Sequence, residues 1–258
     1  DLHSFPTRRS SDLLVKNRVD IEEMTPEDDR GLTLTGGYLV EVDARATSET
    51  SWFMSAMGNP VTIHYPDDDE IIPEQHTYIE YCFNTMEENW KKYLDLNTFL
   101  RHFFVGELSG NTDTYWSVYM YKHRGNDTIF TGPVWDFDLA LENDKRTYPV
   151  NSKKDFLYRS GGSVTGKMRE FVDRMCVRDA DVRAKMLEIW SEVRNDRIQE
   201  QRLVDYIDQQ EEYLQESQKL NFMRWPVMEE LVHQNPVIWG SYEAEVENVR
   251  RFLKERIA

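Results

Sequence analysis

Apolar positions recur along this chain with two different periods, and the switches between them divide it into elements. From Pro73 to Tyr93 the residues Tyr78, Cys82, Met86, Trp90 and Tyr93 return every third or fourth position, which predicts an amphipathic helix. Asn97 is expected to cap a second helix, Thr98 to Leu108, whose wide apolar face holds Phe99, Leu100, Phe103 and Phe104, with Gly110-Asn111 ending it. The period then drops to two. Tyr115 to His123 and Thr128 to Trp135 alternate as half-buried strands do, and Arg124-Gly125-Asn126-Asp127 supplies a turn because Gly and Asn tolerate positive φ. If residue 123 faces 128, paired positions sum to 251. Leu32 to Val42 predicts strand, Gly-Gly, strand, and Val61 to Tyr65 a further short strand, with Ala44 to Asn59 irregular between them. Glu142 to Ser163 is polar and loop-like. From Gly166 onward the helical period returns, over about 167–177, 180–196, 199–220 and 241–256. Stripes such as Val182, Met186, Ile189, Trp190 and Val193 are core packing. The pattern predicts an α+β fold with a central β-hairpin and a mainly helical C-terminal half.

Composition narrows the partners more than the fold. The 258 residues suffice for one large domain or two small ones, and seven Trp and thirteen Tyr rule out a disordered acidic tail. A formal charge of −16 excludes sequence-independent nucleic-acid binding and disfavours an anionic membrane surface. Cys82 and Cys176 alone make neither a disulfide framework nor a zinc quartet, and no apolar run reaches the ~20 residues of a membrane span. Residues 1–13, DLHSFPTRRSSDL, spell the translation of a widely used sequencing adapter. They are set aside as not native, and the natural start is expected upstream. Residues 14–72 then form an irregular and β-rich connector, 73–143 the helices and hairpin, and 144–258 the helical part.

The hairpin carries the candidate chemistry. Asp113 lies in the loop before its first strand and Asp136 at the end of its second; their positions sum to 249, close to the register. Two carboxylates brought together resist joint ionisation, so such a pair implies a metal or a shared proton. In phosphoryl transfer one acid takes the nucleophile's proton while another holds magnesium against the phosphates, and helix, loop Asp, two strands, Asp is the order in which kinase-like folds build that half of their site. Capping and turn formation would also use Asp and Asn here.

Specific motifs extend this reading. Asn17-Arg18-Val19-Asp20-Ile21, Thr35-Gly36-Gly37-Tyr38-Leu39-Val40-Glu41-Val42-Asp43, Tyr93-Leu94-Asp95, Gly106-Glu107-Leu108, Asn111, Asp113, Tyr119-Met120-Tyr121-Lys122, Gly132-Pro133-Val134-Trp135-Asp136-Phe137-Asp138 and Arg224-Trp225-Pro226 together resemble the CotH kinase family. That family is named for a spore-coat protein and comprises atypical protein kinases acting on secreted or coat proteins. The resemblance implies the large lobe of an atypical protein kinase, with the small lobe and its nucleotide-gripping lysine upstream of this chain, so that this fragment alone is expected to be inactive. It implies ATP and Mg2+ as cofactors, a protein substrate offering Ser or Thr, and an extracytoplasmic or cell-surface location. Asp113 would face the acceptor hydroxyl and Asp136 would bind magnesium. Asp138 would either join the metal or brace the loop, and Asn111 would order the catalytic loop. Two departures stand out. Trp116-Ser117-Val118 occupies the place of an expected metal-binding Asn, and the neutral hydroxyl of Ser117 is a weaker ligand. Ala140-Leu141-Glu142-Asn143 runs where the family commonly has a Gly.

Rival readings are a non-catalytic cell-surface module that keeps the fold, and a carboxylate-pair glycan hydrolase, which needs acids ~5–9.5 Å apart. Three decoys are set aside. Gly161 to Met168 nearly spells a phosphate-binding loop but ends in Met, which cannot ligate magnesium. Asp67-Asp68-Asp69 lacks the spacing of a calcium loop. His64, His76, His102, His123 and His233 show no metal-ligand spacing.

Overall fold

A computed structural model describes residues 19–149, 156–159 and 167–258. Two compact units interleave along the chain: one takes residues 1–102, 115–135 and 166–171, the other 103–114, 136–165 and 172–258. The fold is α+β, with a five-stranded antiparallel sheet and, among the described residues, seven α-helices.

The first unit is built on the sheet. Its strands are β1 (Tyr38–Asp43), β2 (Trp52–Met54), β3 (Pro60–Tyr65), β4 (Ser117–Lys122) and β5 (Ile129–Thr131), in the order β2-β3-β1-β4-β5. The hairpin register agrees with the sequence: Met120 faces Thr131, Tyr121 faces Phe130 and Lys122 faces Ile129, so paired positions sum to 251. Its strands are shorter than their alternation suggests. Residues Thr112–Tyr115 coil into a 3-10 turn, and the ladder stops one bond past Thr131, where the Gly132 N–H donates to the Tyr119 carbonyl. Pro133 follows and has no N–H to extend it.

The Gly-Gly pair also departs from the expected hairpin. Thr33–Thr35 form a 3-10 turn and only Tyr38 onward is strand. A Cβ on Gly36 would fall 2.4 Å from the Arg124 backbone nitrogen, and one on Gly37 2.8 Å from that of Glu22. Both glycines therefore serve close backbone approach. The buried Lys122 ammonium donates to the Thr35 carbonyl at 2.5 Å and lies over the Tyr78 ring, clamping this crossing from below. Strand β2 falls in a stretch read from sequence as irregular; at three residues it shows no periodicity.

Helix α1 (Pro73–Glu88) covers the sheet with Ile79, Phe83 and Met86, each 1% exposed. Burying each stabilises by roughly 1.5–3 kcal/mol. Phe83 meets Phe53 edge-on, and the buried Glu87 carboxylate accepts from Ser55, Met57 and Asn59 in the β2–β3 turn. The predicted single helix breaks at Asn89, leaving α2 (Trp90–Tyr93) separate. Helix α3 (Leu96–Ser109) is capped by Asp95, whose carboxylate accepts the Thr98 N–H, and not by Asn97, which instead accepts from Arg101. His102 on α3 is enclosed, and burial pushes its ring down to about 4.

That shift predicts acid sensitivity. The unfolded His102, with an ordinary pKa near 6.5, binds a proton that the folded ring refuses. Stability is thus complete above pH ~6.5 and is lost as pH falls toward ~4, by roughly 3 kcal/mol. Urea midpoints between pH 7.5 and 4.5 should fall less steeply in His102→Gln; an unchanged slope would remove His102 as the cause.

The second unit holds the end of α3, the turn after it, the loop from residue 136 and the C-terminal helices. Helix α4 (Lys167–Val172) crosses from the first unit and runs into a π-helical turn, Asp173–Val177. Helix α5 spans Ala180–Asn195, α6 Glu200–Arg224 and α7 Tyr242–Ile257, close to the predicted bounds. Asp179 caps α5 and Ser241 caps α7, while Arg250 ties α7 to Asp208 and Glu211 on α6. No helix among the described residues is long and apolar enough to cross a membrane. Residues 1–18 and most of the near-phosphate-loop lie outside the described residues; of the latter, Met168 is buried and Lys167 pairs with Glu170.

Candidate active site

Helix α3 delivers the chain to Asp113. Gly110, the residue just past its end, takes the left-handed conformation (φ 67°) that ends helices, as the sequence predicts. One turn earlier Gly106 packs against Thr114 so closely that an added Cβ would lie 2.2 Å from its side chain. Asn111, 2% exposed, stitches the following turn. Its N–H donates to the Gly106 carbonyl, its carbonyl accepts the Thr114 N–H, and its Oδ1 accepts the Asp113 N–H at 3.3 Å. Side chain and backbone of one buried residue therefore set the position of Asp113.

The Asp113 carboxylate is half-buried and engaged. Arg146 Nη2 donates to its Oδ1 at 3.0 Å. Arg146 is itself held by Asp144, which is fully buried and accepts Nε at 3.0 and 2.8 Å and Nη2 at 2.5 Å. Burial pushes the Asp144 carboxyl up, but hydrogen bonds from the Arg146 side chain and backbone and from Thr112 prevail and hold it below its usual value. The Thr112 and Thr147 hydroxyls join at 2.8 Å behind this pair. A buried carboxylate thus anchors a guanidinium, and the guanidinium holds one oxygen of Asp113. Asp144 and Arg146 were not legible as site residues, because Asp144-Lys145-Arg146 reads as an ordinary charged loop.

Asp136 follows the hairpin after Trp135, whose ring meets Tyr119 edge-on at 6.0 Å. It is exposed, and its backbone is left-handed (φ 52°), a conformation that Asp tolerates better than most residues. Leu141 (φ 59°) and Glu142 (φ 66°) share that conformation. Both lie within Ala140-Leu141-Glu142-Asn143, the run where the family resemblance expects a glycine, and here the backbone adopts a left-handed bend without one. Strained backbone clustered over seven residues is a mark of functional loops. The bend is secured by the Leu141 N–H donating to the Ser109 carbonyl at 2.7 Å and by Glu142 pairing with Arg251 at 3.5 Å. Asp138 is exposed; its carbonyl accepts from Asn143, which in turn accepts from Asn235.

Asn111, Asp113, Asp136 and Asp138 all belong to the second unit. Ser117 belongs to the first, where its hydroxyl donates to Glu41 Oε1 at 2.5 Å while Glu41 Oε2 meets His64 Nε2 at 2.6 Å. Burial beside Glu41 raises the Asp43 carboxyl on the same strand above its ordinary value. Sequence gave no sign of the Glu41–His64 pair, since its members come from different strands.

The donor set fits magnesium. Hard carboxylate oxygens suit Mg2+, which is commonly held by one or two carboxylates plus phosphate oxygens, not by a closed protein cage. The described residues contain no cluster of three His, Cys, Asp or Glu able to hold a metal.

A family model described as CotH kinase protein matches residues 17–258. No curated protein and no solved structure matches the chain significantly.

Proposed function

The chain belongs to the CotH kinase family, and from that premise we propose that it is the large lobe of a kinase which, together with the small lobe expected upstream, transfers the γ-phosphoryl group of ATP to Ser or Thr hydroxyls of secreted, coat or cell-surface proteins, this fragment alone being inactive. The observation that supports this reading best is the Asp144–Arg146–Asp113 chain, which fixes one carboxylate oxygen of Asp113, Oδ1. In this reading Asp113 Oδ2 orients the acceptor hydroxyl and takes its proton as the bond to phosphorus forms. Arg146 keeps that oxygen aimed, and Asn111 keeps the turn beneath it closed. Asp136 holds the cation from its left-handed position, and Asp138 either shares that cation or braces the loop through Asn143. Magnesium, when bound, supplies the positive charge that offsets the phosphate oxygens.

Labelled ATP, magnesium and a Ser/Thr-rich acceptor protein, given to the upstream-completed gene product, test the proposal. Asp113→Asn removes the proton acceptor with little change of shape, and transfer should fall at least ~100-fold. Equal transfer by both proteins, or none by the wild type, would overturn the reading. The second outcome favours a binding module that keeps the fold without catalysis, a reading supported by Ser117, whose hydroxyl is already directed to Glu41.

A further inference from the structure

The second unit contains a groove that the proposed chemistry does not use. Its volume is ≈ 950 Å³, at the upper end of the ~300–1,000 Å³ typical of small-molecule sites. The floor is dry: Phe103, Cys176 and Ile257 are 1%, 5% and 9% exposed. Aromatic rings form the walls, with Phe104 against Trp190 at 5.5 Å and Phe156 stacked on Tyr158 at 5.7 Å. Rings placed this way present flat apolar surface without needing polar partners.

The rim has the opposite chemistry. Arg159, Arg183 and Arg194 stand around the opening, against Glu255 and the carboxyl end of Ala258. The remaining pair, Glu107 and Arg256, is buried and satisfied internally. Arg159 is spread over the Phe156 and Tyr158 rings and bonds the Tyr158 hydroxyl, and Arg183 donates to the Val177 carbonyl. Arg194 is exposed and makes no hydrogen bond or ion pair among the described residues. Leu187, on the same helix α5 and one turn from Arg183, is 68% exposed beside it. A local excess of guanidinium over carboxylate is unusual on a chain of charge −16. It selects against a cationic occupant, and the aromatic walls select against a small hydrophilic anion.

We propose that this groove binds a single-chain amphipathic anion, with its apolar body between the Phe104–Trp190 and Phe156–Tyr158 walls and its carboxylate or similar head at Arg194. Burial of the body provides the affinity, and the rim arginines provide the sign selectivity. The proposal is independent of phosphoryl transfer.

Isothermal titration of the full chain with laurate, kept below its micellar range, tests it. The expected result is saturable one-to-one binding with Kd on the order of 10 μM. Dodecyltrimethylammonium, with the same chain and the opposite charge, should bind at least ~10-fold more weakly. Arg194→Glu lies on an exposed helix face with no partner to lose, so its far-ultraviolet circular dichroism should match the wild type while laurate affinity falls at least ~10-fold. Leu187→Asp should weaken laurate as well. Absence of saturable binding below ~1 mM overturns the proposal. Equal affinity for the two amphiphiles, or unchanged laurate binding in Arg194→Glu, also overturns it, since either would mean nonspecific adsorption to apolar surface.

Discussion

Asp136→Ala is expected to reduce label transfer from ATP at least ~1,000-fold, more than any other single substitution in the proposed site. The magnitude follows from the role proposed for this carboxylate: it would be the protein's principal contact to the cation, and the charge on the phosphate oxygens has no substitute for that cation. The variant also changes the backbone. At φ 52° an alanine is disfavoured by roughly 1–2 kcal/mol, whereas asparagine tolerates the left-handed region nearly as well as aspartate. Asp136→Asn therefore removes the charge and leaves the bend. If Asp136 acts through its charge, both variants lose transfer, the Asn protein keeps the wild-type thermal midpoint, and raising magnesium partly restores the Asn protein. If it acts only by shaping the loop, Asp136→Asn remains active, and the proposed metal role is lost.

The fold of this site was legible in the sequence wherever one periodicity or one turn decides the outcome. The hairpin register is an example: the Arg124–Asp127 turn sets it, and the observed pairs obey the predicted sum. Helices α5 and α7 likewise announce themselves through long apolar stripes and polar caps. Strand ends were less legible. Alternation continues through Tyr115 and Trp135, but Thr112–Tyr115 coil into a 3-10 turn and Pro133 breaks the ladder. The cap of α3 also competes between two neighbours; Asp95 takes it because its carboxylate reaches the Thr98 N–H, and Asn97 lies within the helix.

The site itself was legible as two aspartates and no further. What positions Asp113 is a guanidinium 33 residues away, fixed by a carboxylate that looks exposed in sequence and is fully buried in the fold. A buried charge of that kind is a tertiary decision, made by how loop 136–149 closes, and no local pattern encodes it. The same holds for Leu141 and Glu142. Their residue types argue against a left-handed bend, and only the carbonyl of Ser109 and the Arg251 pair show why it persists.

Glu107→Ala is expected to cost about 3–5 kcal/mol and to lower the thermal midpoint by roughly 6–20 °C. Glu107, on the last turn of α3, is 2% exposed and serves three partners at once. Its carboxylate accepts the Leu157 and Tyr158 N–H groups at 2.5 and 3.1 Å and pairs with Arg256 at 3.4 Å, while Arg256 also donates twice to its backbone carbonyl. Truncation leaves two backbone donors without their acceptor and takes the carboxylate from the buried Arg256, whose bonds to the backbone carbonyl remain, and loss of one member of a buried ion pair is the costliest of these. Glu107→Gln keeps one acceptor and should lose less. Adding Arg256→Met to Glu107→Ala removes the charge that lost its carboxylate, so the double variant should be more stable than the two single losses predict, by at least ~1 kcal/mol. Strict additivity, or a Glu107→Ala protein within ~1 kcal/mol of wild type, would mean that solvent reaches Arg256 and that this pair does not hold the unit together. The consequence reaches the chemistry: Glu107 lies one turn before Asn111 on the chain that leads to Asp113. Loosening it should therefore lower transfer in the folded protein while leaving its dependence on magnesium unchanged.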